Sequence, residues 1–329
     1  MTSPIITHWV HSRDAPDEAL ASVHLLEVAC QRVVSPREPV RSGSEAVGWF
    51  RSPPPDEPRS LWLLTDPDKR RPAATAWLGC QANATGVARV LVDPAYRRNG
   101  LGTRLFDVVR SAAHDAGLRV ITGTTTSPEV REVLVRHGAR AGHTQVRQVL
   151  DLAATPLPRR ASPDAPDGVH IVTWVAALPE PLLSAYAAAR DAINDAPMDS
   201  FDREVWTAGR IRDLERAVAA RGVQTLGTAL VEGGRILGYT EMRVSEATGS
   251  VAATQDTAIV RDQRRRGYGS LLKTASLDFL RATRPDVQFV TTSNDTTNEA
   301  MLRINRAAGF EPVAFHSQLS LDLTPQRET

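Results

Sequence analysis

The amino-acid sequence predicts an α/β (α+β) protein made of two similar domains in tandem. Three observations carry that expectation. A stretch ordered as strand, basic glycine loop and helix occurs twice. Apolar residues alternate between strand spacing and helical spacing along both halves. A proline-rich segment divides the 329 residues almost evenly, and a chain of that length suits about two domains.

The fuller copy of the repeated stretch is Thr257–Leu272, TAIVRDQRRRGYGSLL. It reads as a strand over Thr257–Val260, a turn, a loop from Arg264 to Gly269 and a helix opening at Ser270. Gly267 and Gly269 lack the Cβ atoms that would hold a ligand off the backbone, and they allow positive φ. Unpaired N–H groups of the loop and first helical turn converge there, backed by the positive end of the helix dipole. Such a place takes an anion, and a diphosphate fits it. Arg264, Arg265 and Arg266 add charge around its rim. The second copy is Val92–Leu105, VDPAYRRNGLGTRL. A strand ends at Val92, the loop runs Arg97-Arg98-Asn99-Gly100-Leu101-Gly102, and a helix starts at Thr103. Both copies share the spacing R-x-x-G-x-G. Neither matches GxxxxGK[ST] or GxGxxG, so the nucleotide fingerprints do not apply.

The first domain is expected over residues 1–152. Ala15–Val34 has apolar residues at helical spacing (Leu20, Val23, Leu26, Val28) and predicts a helix. Arg51–Pro58, RSPPPDEP, is a loop, because proline removes donors and fixes φ. Leu61–Leu64, Ala73–Cys80 and Val87–Val92 read as strands, followed by the loop and a helix to about Ala116. Val120–Thr124 is a strand, and Ser127–His137 is a helix with Ser127 as N-cap and Pro128 in its first turn. Gln145–Leu152 is expected to close the first sheet. Residues 153–168 are a proline-rich linker that cannot bury enough surface to order itself.

The second domain, 169–329, repeats the order. His170–Val175 is a strand and Pro181–Ile193 a helix, broken at Asn194-Asp195-Ala196-Pro197. Glu204–Arg221 is a helix. Gln224–Glu232 and Arg235–Ser245 form a hairpin around Gly233-Gly234. Val251–Val260 feeds the glycine loop, and Gly269–Arg281 is the helix behind it. Val287–Thr292, a helix from about Thr297 to Ala308, and a last strand Phe315–Leu323 complete the second sheet.

The doubled R-x-x-G-x-G, together with Thr291–Phe310 (TTSNDTTNEAMLRINRAAGF), resembles the GNAT superfamily of acyl-CoA-dependent N-acetyltransferases. The resemblance covers most of the chain and is strongest over residues 236–313. It implies two GNAT-type domains, each a central mixed sheet flanked by helices, and acetyl-CoA (coenzyme A) as cofactor. The cofactor residues it implies in the second domain are Thr257, Ile259, Val260, Arg261, Arg264, Arg265, Arg266, Gly267, Tyr268, Gly269 and Ser270, with Asn294 and Asn298. N-capping of a helix is the competing role for the two asparagines. In the first domain they are Val92, Arg97, Arg98, Asn99, Gly100, Leu101, Gly102 and Thr103.

Acetyl transfer needs an uncharged amine, relief of charge on the tetrahedral oxygen and a proton for the departing thiolate. The family places a carboxylate at the start of the strand before the loop. Asp256 is therefore the expected base, with Glu241 in reserve. Where many members carry a tyrosine as acid, this chain has Asn305, an amide that can bond a sulfur but cannot protonate it. No carboxylate lies between Thr85 and Val92, and Leu134 holds the tyrosine position. The first domain is thus expected to be degenerate. The segment Asp191–Trp206, rich in aspartate, is expected to wrap the acceptor. The tandem layout is also similar to that of the mycothiol synthase family, and Asn305 counts against that likeness.

Composition sets the remaining bounds. Hydrophobic residues are 42%, charged residues 23% and net charge +1, so no global field draws nucleic acid or a membrane surface. Cys30 and Cys80 are expected as reduced thiols, no metal site is expected, and no apolar run approaches a membrane span. A signal-peptide plan is absent from the first residues. These readings converge on a cytoplasmic monomer or homodimer that acetylates a primary amine of a small molecule in its second domain. The competing class is a non-catalytic acyl-CoA-binding sensor or partner protein.

Overall fold

The computed structural model describes residues 4–53, 57–81, 83–154, 165–192, 205–245 and 249–324. By contacts the chain forms two compact units, Met1–Thr144 with Ala314–Thr329, and Gln145–Val313. Most of the expected linker falls outside the described residues.

In unit 1 the strands β1 (Ile5–Trp9), β2 (Arg59–Asp66), β3 (Arg71–Cys80), β4 (Thr85–Val92) and β5 (Val120–Thr125) are joined by β12 (Glu311–Asp322), of which residues from 314 onward lie in this unit. They stand in the order β1-β2-β3-β4-β5-β12. Only β4 and β5 run parallel. Strand β2 buries both its faces, and successive side chains divide between two cores as the pleat requires. Leu61 and Leu63 pack under α1 (Asp17–Val34) and α2 (Gly43–Arg51), whereas Trp62 and Leu64 pack under α3 (Leu101–Asp115). Helix α4 (Pro128–Arg136), capped by Ser127 as expected, follows β5.

Unit 2 repeats this plan with β6 (Arg140–Asp151, from residue 145), β11 (Phe289–Asp295), β10 (Val251–Ile259), β9 (Arg235–Ser245), β8 (Val223–Glu232) and β7 (Val169–Val175) in that order. Here β10 and β11 are parallel. Helices α5 (Leu183–Arg190) and α6 (Ala208–Ala219) cover one face through Tyr186, Ile211 and Tyr239. On the other face α7 (Tyr268–Thr283) packs through Leu271, Leu272, Leu277 and Leu280, and α8 (Glu299–Ala307) follows β11.

Two strands go where the sequence did not send them. Gln145–Asp151 pairs with β11, Gln145 opposite Asp295 and Asp151 opposite Phe289. The chain's last strand pairs with β5, Ser317 opposite Thr125 and Asp322 opposite Val120. Alternation of apolar residues fixes which face of a strand is buried but not which neighbour it takes. Strand β1 and helix α2 also went unread, although α2 opens with a Ser42–Glu45 capping box visible as S-x-x-E. No described helix is long and apolar enough to cross a membrane.

One core position is out of character. Lys273 on α7 is 1% exposed. Its Nζ has no hydrogen-bond partner and sits 5.1 Å from the Phe310 ring centroid. Burial lowers its pKa to about 8 from 10.5. The folded value lies below the unfolded one, so the buried charge weakens the fold below pH 8 and this cost fades as pH rises toward 10.5. Lys273→Met, which keeps the volume, is expected to raise unfolding free energy at pH 7 by on the order of 3 kcal/mol. It should also flatten the rise in stability between pH 8 and 10; urea denaturation of both proteins across that range measures it.

Candidate active site

The site in unit 2 begins where two parallel strands part. Strands β10 and β11 pair only at Val251–Phe289, Ala252–Val290 and Ala253–Thr291. Beyond Ala253, β10 bulges between Thr254 and Thr257 against β9 while β11 runs on to Asp295. The backbone of Thr257, Ile259, Val260 and Arg261 therefore borders a cleft. In unit 1, β4 and β5 likewise pair only over Thr85–Val120, Gly86–Ile121 and Val87–Thr122. Strand β4 has no bulge.

The two glycine loops are copies in backbone geometry. Gly267 caps α7 at φ 81°, ψ −4°, and Gly100 caps α3 at φ 73°, ψ −2°. Arg265 and Arg98 both take positive φ, 64° and 65°. Arg264 Nε donates to Ile259 O at 3.0 Å and Arg97 Nε to Val92 O at 3.3 Å, so the first arginine of each loop ties it back to its strand. Each helix opens earlier than the sequence suggests, at Tyr268 and Leu101, because the glycine itself is the N-cap. Neither cap offers a side chain to the helix N–H groups. A Cβ on Gly267 or Gly100 would meet no protein atom within 4 Å, whereas one on Gly269 would lie 2.8 Å from Ile304 Cδ1. Gly267 thus leaves space for something outside the protein, and Gly269 lets α8 close on α7. Ser270 and Thr103 sit inside the first helical turns.

Above the cleft the charges are organised by a residue that sequence reading missed. Arg190, at the end of α5 and with its side chain 5% exposed, pairs its Nη2 with Asp256 Oδ2 at 2.5 Å. Its Nη1 donates to Tyr186 Oη at 3.2 Å and lies 3.6 Å from Glu241 Oε2. Tyr186 Oη donates to Glu241 Oε1 at 2.7 Å. Burial and the neighbouring Glu241 push the Tyr186 hydroxyl well above its usual range, so it stays a donor. The guanidinium stacks on Trp206 at 3.7 Å. Asp256 is the more accessible carboxylate, 30% exposed against 11% for Glu241. A signal for Arg190 was present: it repeats at helical spacing with the buried Leu183 and Tyr186.

The amides behave otherwise. Asn305 is 0% exposed. Its Nδ2 donates to Gln148 Oε1 at 3.0 Å and Asn294 Oδ1 at 2.7 Å. Both amide hydrogens are thereby spent inside the core, and the residue has no path to a thiolate. Asn298 caps α8, accepting from Met301 N at 3.2 Å. Of the segment Asp191–Trp206, expected to wrap the acceptor, residues 193–204 lie outside the described residues.

Unit 1 inverts the charges. At the position that corresponds to Asp256, counted back from the loop, stands Arg89. Its Nη1 lies 3.7 Å from Glu27 Oε1, a carboxylate supplied by α1, and Arg41 also bonds Glu27. Strand and helix have exchanged the signs of the pair. Cys30, one turn beyond Glu27, donates to Val92 O at 3.3 Å, and burial pushes its thiol up.

Comparison with known proteins agrees with this architecture. The Acetyltransferase (GNAT) family model matches residues 23–134, the unit that the sequence led us to expect as degenerate. A tandem GNAT protein from the clavulanic acid biosynthesis pathway, solved without acetyl-CoA, is 23% identical with TM-score 0.80, over 98% of this chain and 100% of that one. A GCN5-related N-acetyltransferase from Sphaerobacter thermophilus is 20% identical with TM-score 0.74, over 98% of each chain. No curated protein matches the sequence. Residues 23–134 thus match the GNAT acetyltransferase family, and the chain as a whole has the fold of a tandem GNAT protein.

Removing Arg190 leaves Asp256 and Glu241 side by side without their cation. Arg190→Ala is expected to lower unfolding free energy by about 3 kcal/mol, toward the lower end for a broken buried pair because Asp256 keeps some hydration. Chemical denaturation measures the loss, and Arg190→Lys should recover part of it.

Proposed function

We propose that the protein transfers an acetyl group from acetyl-CoA to a primary amine of a small molecule, with the chemistry in unit 2. One observation carries this reading: a reachable carboxylate, Asp256, stands on the bulge of the same strand that borders the cleft and leads into the glycine loop. The loop N–H groups and Arg264, Arg265 and Arg266 receive the diphosphate. The N–H groups of Thr257 and Ile259, which face away from β9, receive the growing charge of the thioester oxygen, whereas that of Val260 is spent on Leu237 O. Asp256, held by Arg190, takes the proton from the ammonium so that the free nitrogen attacks the carbonyl carbon. The carbon–sulfur bond then breaks, the nitrogen releases its second proton to water, and water delivers a proton to the departing thiolate, since Asn305 is closed off. Glu241 anchors Tyr186 and Arg190 and keeps the base in place.

Unit 1 keeps the loop and the parted strands, so Val92, Arg97, Arg98, Asn99, Gly100, Leu101, Gly102 and Thr103 form a second acyl-CoA site. Arg89 in place of a carboxylate on its strand argues against acetylation there.

Two variants separate binding from chemistry. Asp256→Asn is expected to reduce kcat/KM for acetyl transfer by roughly 100-fold or more at unchanged acetyl-CoA affinity. Gly267→Val, which fills the space beside the loop, is expected to remove one of two calorimetric acetyl-CoA sites; Gly100→Val should remove the other. Undiminished turnover in Asp256→Asn would rule out its role as base.

A further inference from the structure

Strand β9 places Tyr239, Glu241 and Arg243 on one face, the face covered by α5 and α6. Glu241 and Asp256 are both committed to Arg190, directly or through Tyr186. Arg243 is not matched in this way. It is half-buried, its Nε is closed off from solvent without a hydrogen-bond partner, and among the described residues its guanidinium forms no ion pair with a carboxylate. Withdrawal from water lowers its pKa, and the nearby Arg221 and Arg190 press the same way against the attraction of Glu241 and Asp256. Among the described residues, nearby Arg190 also has its Nε buried without an acceptor, as does Nε1 of Trp206, which stacks on Arg190.

Closing off guanidinium and indole N–H groups from water without acceptors is costly. A cluster that tolerates this cost in a cleft is a place for a ligand. What is missing is an anionic acceptor, and the planar fork of a guanidinium matches a carboxylate. Spacing sets its distance from the base. Asp256 lies in the bulge opposite Glu241, between the partners of Met242 and Thr240, and Arg243 is one same-face step further along β9. That step is about 7 Å, which an amine and a carboxylate of one small molecule can bridge. The register partner of Arg243 on β10 is Ala253, too small to fill the space beside it.

We propose that Arg243 receives a carboxylate of the acceptor, so that unit 2 acts on an amine of the amino-acid class. The proposal rests on the acetyl-transfer reading and makes Arg243 its specificity-determining residue. It is tested by measuring acetyl-CoA consumption by the full chain with a panel of amino acids and their α-carboxamides, which lack that charge. The free acids are expected to be preferred roughly 30-fold or more in kcat/KM. Arg243→Gln should bring that ratio close to one, and Arg243→Lys, a check on folding, should keep most of it. Amides used as well as acids, or a ratio unchanged in Arg243→Gln, would overturn the proposal while leaving acetyl transfer intact. If no amine is acetylated, the acetyl-transfer reading fails, and calorimetry of the same acids and amides on the CoA-loaded chain decides the rest. Acid binding lost in Arg243→Gln then supports the carboxylate site; equal binding of acid and amide refutes it.

Discussion

A strand that pairs with its parallel neighbour for three residues and then leaves it must settle its remaining backbone groups in some other way. That constraint governs both units. On its outer side β10 keeps its antiparallel ladder with β9, at the cost of a bulge; β4 keeps its ladder with β3 without one. On the parted side, each strand turns one carbonyl back to its own loop arginine, Ile259 to Arg264 and Val92 to Arg97. The glycine loops then begin the helices in left-handed backbone, at angles that agree within a few degrees between units. Cleft, loop and helix terminus are consequences of one departure from regular pairing.

The same departure explains why charge gathers there. A bulge turns an extra side chain toward the covering helices, and in unit 2 that side chain is Asp256. A carboxylate in such a place needs a cation, and α5 supplies it in Arg190. Unit 1, whose strand has no bulge, carries an ion pair with the signs exchanged, Arg89 from the strand and Glu27 from the helix. The electrostatic bond between helix and strand is retained, but the group that could abstract a proton has moved from the strand to α1. The repeated fold therefore keeps the ion pair between strand and helix and exchanges its ends.

How far this was legible in the sequence follows from the range of the interactions. The loops were readable because their geometry is local: two glycines and a run of arginines dictate it within a few residues. Asp256 was found through its fixed distance from the loop. Arg190 could have been found, since it shares a helical face with Leu183 and Tyr186, yet an arginine on an apolar face does not name its partner. Glu27 and Arg89 lie far apart in the chain, and only packing brings them together. Strand order was the least accessible, because Gln145–Asp151 and Phe315–Asp322 have interchangeable patterns. The amide of Asn305 was placed by analogy with a tyrosine; in the structure a smaller side chain at that point turns inward and bonds Gln148 and Asn294.

The path of the chain through its two units bears on how the protein is made. The first five strands of unit 1 are synthesised first, but its sixth is β12, which pairs with β5 and follows every other strand described. Until then β5 presents an open edge of the kind that recruits foreign strands. Vectorial synthesis thus cannot finish the units in the order in which they begin, as beads on a string would be finished. The amino-terminal unit waits for β12 while the strands of unit 2, the last of them β11, are already made.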